Sequence, residues 1–145
     1  MPLLAGQILK ASQAQRLQTK KYSAVGTGGP LVGPQSNADV TGCTITLTTE
    51  TDGATYQAWI VIDHDKTTAN SSVNFGRLNV DGVNASTTTG SAQDAVTDRT
   101  VAGQNYHGTL ATAGSHTLKV VASPPTGNQI LNTNTTLIVE ITEVV

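Results

Sequence analysis

The sequence predicts an all-β protein: a single antiparallel β-sandwich of seven or eight strands, jelly-roll-like, preceded by an N-terminal arm with one short helix. Three observations predict it. Thr makes up about one residue in six and Gly is frequent, the composition of many short strands joined by turns. Apolar residues recur with a period of two along several runs. Turn pairs such as Asp52-Gly53 and Asp81-Gly82 separate those runs, with no helical pattern between them. At 145 residues the chain has the size of one domain and can bury a core.

Residues 1–38 form the expected attachment arm and Gly/Pro linker, and residues 39–145 the sandwich. Lys10, Arg16, Lys20 and Lys21 are four of the eight basic residues, and the first acidic residue is Asp39. From Asp39 onward four basic residues stand against all ten acidic ones, a net charge of -6. A basic arm before an acidic body suits docking on another protein surface. Ser12-Gln13-Ala14-Gln15 has the form of a capping box and predicts a helix from about Ser12 to Gln18. So short a helix is marginal alone. Ile8, Leu9 and Leu17 therefore need cover, either from their own domain or from a partner that Lys10, Arg16, Lys20 and Lys21 would also contact. Gly26 to Pro34 resists both helix and ladder pairing and reads as an extended linker, so a chain beginning near Pro34 should stay folded.

In the body, Cys43, Ile45 and Leu47 alternate with Thr44, Thr46 and Thr48, a strand with one buried face. Asp52-Gly53 turns the chain into Tyr56 to Asp63, which is apolar on both parities and so predicts a central strand covered on both sides. Val73 and Phe75 fall out of step with Leu78 and Val80, which suggests a bulge at Gly76-Arg77. Asp81-Gly82 turns the chain again, and Val83 to Gln93 reads as an irregular strand or surface loop. Strand patterns resume over Val96 to Val101, Tyr106 to Leu110 and His116 to Ala122, with Ala113-Gly114-Ser115 closing a hairpin between the last two. Pro124-Pro125 ends that strand, and Thr136 to Val145 supplies the final one.

The composition argues against several function classes. One cysteine, Cys43, allows no intrachain disulfide or Cys-based metal site, and on the core face its thiol is expected to be inert. No run approaches the roughly 18 apolar residues that cross a bilayer, and no basic n-region precedes an apolar h-region, so neither membrane insertion nor a secretory signal is expected. Asn-x-Ser/Thr matches at Asn70, Asn84 and Asn134 are what chance supplies in a chain this rich in Asn, Ser and Thr. Asp63-His64-Asp65 could bind a cation, but neighbouring strand residues point to opposite faces, and a solvated strand end is the expectation. His107 and His116 are expected to flank a hairpin as neutral surface imidazoles. No nucleophile elbow and no phosphate loop before a helix occur, so no enzyme and no cofactor are expected. An acidic, aromatic-poor body is a poor nucleic-acid surface.

Ala5-Gly-Gln-Ile-Leu-Lys-Ala-Ser-Gln-Ala-Gln-Arg-Leu17 resembles the opening segment, of the type Gly-Gln-hydrophobic-Leu-Thr-Ala-x-x-Leu-Asn, of small virion β proteins and fibres from tailed phages of actinobacteria. Gly108-Thr-Leu-Ala-Thr-Ala-Gly-Ser-His-Thr-Leu-Lys-Val-Val121, with the Thr-rich last strand ending Glu143-Val-Val, is similar to the C-terminal half of those domains. They in turn resemble the trimeric jelly rolls of the tumour-necrosis-factor and C1q kind. Lys10 departs from the pattern where Thr is commoner, and Arg16-Leu17-Gln18 replaces the usual Leu-Asn. The resemblance implies a non-enzymatic virion component on the outside of the capsid, assembled in the host cytoplasm. Its expected role is a homotrimeric decoration protein docked on the major capsid protein through the arm. The alternative is a minor tail or receptor-binding protein, seated on a tail protein, that recognises host surface glycans.

Overall fold

The structure, a computed structural model, describes residues 10–144, so Ile8 and Leu9 lie outside the described residues. A helix, α1 (Ala11–Leu17), is followed by β1 (Lys20–Val25), β2 (Leu31–Val32), β3 (Ala38–Thr49), β4 (Ala54–Lys66), β5 (Val73–Val80) and β6 (Val83–Asn84). Then come β7 (Thr89–Ala92), β8 (Arg99–Leu110), β9 (Gly114–Ser123), β10 (Asn128–Ile130) and β11 (Thr136–Thr142). The strands form two antiparallel sheets packed face to face, the expected jelly-roll-like sandwich. In the first sheet β4 pairs with β8 along one side; on the other it pairs with β11, which carries β1, and further along with β10, which carries β2. In the second, β9 lies between β3 and β5, and β6 and β7 share the far side of β5.

The core is what the period-two runs turn inward: Cys43, Ile45 and Leu47 from β3, Ile60 and Ile62 from β4, Leu118 and Val120 from β9, and Leu137, Val139 and Ile141 from β11. Thr44, Thr46 and Thr48 face water as expected. Burying each large aliphatic side chain is worth about 1.5–3 kcal/mol, and this aliphatic core is the main source of stability. The two expected turns are present. Asp81 and Gly82 both have positive φ (50° and 86°), the geometry of a tight hairpin turn between β5 and β6.

Five expectations need correction. The domain does not begin at Asp39: β1 pairs with β11 along its whole length, and Tyr22 and Ala24 pack against the core. A chain starting near Pro34 would lose β1 and β2, so it should not stay folded. The helix is capped two residues earlier than expected: Ala11, a better helix former than Ser12, joins the helix, and Gln13 Oε1 accepts a bond from the Lys10 amide at 2.9 Å. No bulge interrupts β5, whose register with β9 is continuous from Phe75 to Val80. Phe75 instead faces outward, and position 76 faces inward, where only a glycine avoids overlap with Ile62 Cδ1. The irregularity falls in β3, between Asp39 and Thr44. Finally, β8 and β9 are no hairpin: they belong to opposite sheets, and residues 111–113 arch between the layers.

The fifth correction concerns β4, which is central but, from Thr55 to Val61, covered only on its inner side. Ala54, Ala58, Ile60 and Ile62 are buried between the sheets, whereas outward-facing Thr55 and Gln57 are exposed and Trp59 and Val61 half-buried. Among the described residues no layer lies over them.

Candidate functional site

The expected arm residues are not gathered into a free cationic patch. Lys10 is exposed at the start of α1. Arg16 lies 3.8 Å from Glu50, Lys20 pairs with Glu143 at 2.9 Å, and Lys21 pairs with Glu140 at 3.4 Å. Leu17 is exposed. The Lys20 partner is a structural hub. Glu143 is buried, yet its carboxylate also accepts bonds from the Glu50 amide (2.7 Å) and the Thr51 amide (3.1 Å), tying the C-terminal end to the β3–β4 turn. Burial raises its pKa, but Lys20 and those amides outweigh it and hold the carboxyl below its usual value.

Asp63-His64-Asp65 is not a solvated strand end. The expected divergence of His64 from its neighbours holds, and all three are engaged. Asp63 is fully buried against the Arg99 guanidinium in a bidentate pair, and Asp65 accepts a 2.6 Å bond from Gln129 Nε2. His64 is fully buried on the inner face, 3.3 Å from Thr89 Oγ1. Burial lowers its pKa to about 4, against a smaller upward pull from Asp63, so it is neutral at pH 7. Among the described residues no three His, Cys, Asp or Glu side chains form a metal cage.

His107 and His116 lie on different sheets. His116 is buried and sits 2.7 Å from Asp81 Oδ2 through Nδ1 and 2.9 Å from the Thr112 carbonyl through Nε2. The bond to Asp81 raises its pKa, since two acceptors favour an imidazolium donating from both nitrogens. Cys43 is buried, its thiol donating to the Thr135 carbonyl at 3.1 Å, and burial pushes its pKa up to about 11. The thiol is therefore inert, as expected of a core position.

The surface that remains unexplained by packing is the outer face of the first sheet. The register lines up its outward side chains in rows across β11, β4 and β8: Thr142, Thr55 and Thr109; then Glu140, Gln57 and His107; then Ile138, Trp59 and Asn105. A shallow open trough of about 380 Å³ runs over the first two rows, bounded by Thr19 at the β1 side. A second hollow of about 250 Å³ between Trp59 and Asn105 continues it, sharing Gln57 and His107. Trp59, the only Trp of the chain, lies half-buried on this face. Gln57, Asn105 and His107 are exposed, and among the described residues their side chains bond to no protein group. Among the described residues the one ion pair at the margin is Lys21 with Glu140.

A flat indole with amide, hydroxyl and imidazole groups around it offers stacking and hydrogen bonding. The pattern was within reach of the sequence: Thr55, Gln57 and Trp59 share a parity, as do Asn105, His107 and Thr109. The assumption that β4 was doubly covered placed Trp59 in the interior.

No family model and no curated protein matches the chain. Solved structures do. The dimeric latent PorU from Porphyromonas gingivalis matches with a TM-score of 0.53 at 12% identity; the match covers 86% of this chain and only 13% of that one. The CBM36-1 domain of a multidomain xylanase from the hindgut metagenome of Trinervitermes trinervoides matches with a TM-score of 0.44 at 10% identity, covering 87% and 99%. The globular domain of zebrafish complement 1qA protein gives 0.46 at 8%, covering 86% and 97%. Identities this low mark at most a likeness of fold, and the two packed antiparallel sheets themselves define the class, that of β-sandwich domains.

Proposed function

We propose that this protein is a non-enzymatic recognition domain whose β11–β4–β8 face binds a neutral glycan. One observation carries the proposal: the single Trp lies half-buried on a flat sheet face, bordered by Gln57, Asn105 and His107, whose side chains bond to no protein group among the described residues. An indole face attracts the C–H bonds of a sugar ring, while amides, which donate and accept at once, match hydroxyl groups that do the same. The trough follows the strand direction from Thr55 to Trp59, roughly 13 Å at about 3.4 Å per residue, the reach of a short linear oligosaccharide. Apart from Glu140, which pairs with Lys21, its lining contains no Asp, Glu, Lys or Arg, which favours an uncharged ligand.

Display on a virion, as a receptor-binding domain recognising host surface glycans, rests on the resemblance of residues 5–17 and 108–121 to phage virion proteins. In that setting the N-terminal segment attaches and the Trp59 face is presented to the host. Capsid decoration through Lys10, Arg16, Lys20 and Lys21 has less support, since three of those cations are paired within their own chain. Two measurements test the proposal. A glycan array probed with the whole chain should return neutral oligosaccharides. A chain lacking residues 1–18 should keep the sandwich and the glycan binding but no longer associate with virions. Absence of any glycan ligand would overturn the recognition reading, and particle association that survives the deletion would overturn the attachment reading.

A further inference from the structure

Each sheet has open edges, and an unpaired edge invites pairing with another strand unless it is short, charged, bulged or covered. Among the described residues all but one of these edges are blunted. β2 and β6 have two residues each and β7 has four. β1 carries Lys20 and Lys21. β3 is interrupted between Asp39 and Thr44, and the Thr27 amide bonds to the Thr41 carbonyl there at 2.8 Å.

β8 is the exception. It runs twelve residues in unbroken register with β4, from Arg99 opposite Asp65 to Leu110 opposite Ala54. Among the described residues no strand pairs with its other side. From Thr100 to Leu110 it contains no Lys, Arg, Asp, Glu or Pro, and its outward-facing Val101 is 61% exposed. It has none of the devices that the other edges show.

We propose that β8 is a self-association edge, pairing antiparallel with β8 of a second copy about a two-fold axis normal to the sheet. A second copy is the occupant the charges favour. Pairing β8 with itself sets neutral residues against neutral residues and carries each Arg99 toward the far end of the other strand. Pairing β8 with β1 of another copy would match twelve residues with six, set Lys20 and Lys21 against it, and propagate openly instead of closing. The two-fold pair is isologous and closed. It also joins the two first sheets edge to edge and keeps both outer faces on the same side, so that two Trp59 troughs are presented together. That last consequence rests on the glycan reading; the pairing itself does not.

The test is the mass of the whole chain in solution by sedimentation and light scattering, with a double variant Val101→Lys/Gly103→Lys. A Cβ at Gly103 meets its neighbours at 3.4 Å or more, so a side chain fits there. The wild type should have twice the chain mass and the variant should have half of that, with an unchanged circular dichroism spectrum. Ser23→Lys on the opposite edge should leave the mass unchanged. Should the double variant fail to fold, hydrogen exchange of the wild type at two concentrations decides: the Thr100 to Thr109 amides should be better protected at the higher one. A wild type that stays monomeric or forms a trimer, a dimer that survives the double variant, or concentration-independent exchange in β8 would each overturn the proposal. Under a failed glycan reading the dimer would persist without a ligand; under a failed pairing a monomer would still bind glycan.

Discussion

Lowering the pH from 7.5 to 5 should weaken the fold chiefly through one buried imidazole. His64 has its pKa lowered from 6.5 to about 4, because burial between the sheets penalises the charged ring more than Asp63 favours it. A histidine with a depressed folded pKa binds its proton more readily when unfolded. Its stabilising effect is therefore complete above pH 6.5 and is lost as the pH falls toward 4. At about 1.4 kcal/mol per tenfold change, the loss amounts to roughly 2 kcal/mol by pH 5 and roughly 3 kcal/mol by pH 4. His64→Gln is neutral at every pH and removes this dependence, whatever constant offset its packing introduces. The assay is urea unfolding of both proteins at pH 7.5 and 5, followed by circular dichroism. His116 and the carboxylates titrate alike in the two proteins, so the difference between their pH responses isolates His64. Equal loss in wild type and variant would refute the assignment of a buried neutral imidazole at this position.

His116 should behave in the opposite sense. Its raised pKa means that its bond to Asp81 stabilises most below pH 6.5 and fades as the pH rises through the folded value, so Asp81→Asn should cost more stability at pH 6 than at pH 9, measured by thermal melts. Gly76→Ala should destabilise by about 1–3 kcal/mol, because the added methyl overlaps Cδ1 of the fully buried Ile62 and forces that side chain to shift within the core; denaturant unfolding reads the loss. Cys43, with its pKa near 11, should stay unmodified by a thiol reagent at pH 8 in the native protein and react only after unfolding.

The architecture could be read from the sequence because two-residue alternation and Asx-Gly turns are local signals. Cys43-Ile45-Leu47 and Asp81-Gly82 carry their geometry in a few adjacent residues. What could not be read was pairing across distance. Nothing local shows that Lys20 to Val25 finds β11, more than a hundred residues later, or that β8 and β9 part at residues 111–113 and join opposite sheets. The same limit hid the candidate site. Trp59 sits in an apolar run and looks like core until the sheet order shows that, among the described residues, no layer lies over it. Phe75 carries a related lesson: the apparent parity break around Gly76 reflects an aromatic facing water and a glycine facing the core, with the strand itself regular. Charge asymmetry was legible in the first twenty-one residues, but its use was not, since Glu50, Glu140 and Glu143 engage three of the four cations from far along the chain.

Replacing the indole while leaving the inner core untouched probes the recognition face most directly. Trp59→Ala should fold with an unchanged circular dichroism spectrum and lose affinity for neutral oligosaccharides by about tenfold or more in calorimetric titration, the scale of a lost stacking contact of roughly 1.5 kcal/mol. Gln57→Ala and His107→Ala should each weaken the same binding. Undiminished binding by a folded Trp59→Ala variant would contradict glycan recognition by this face.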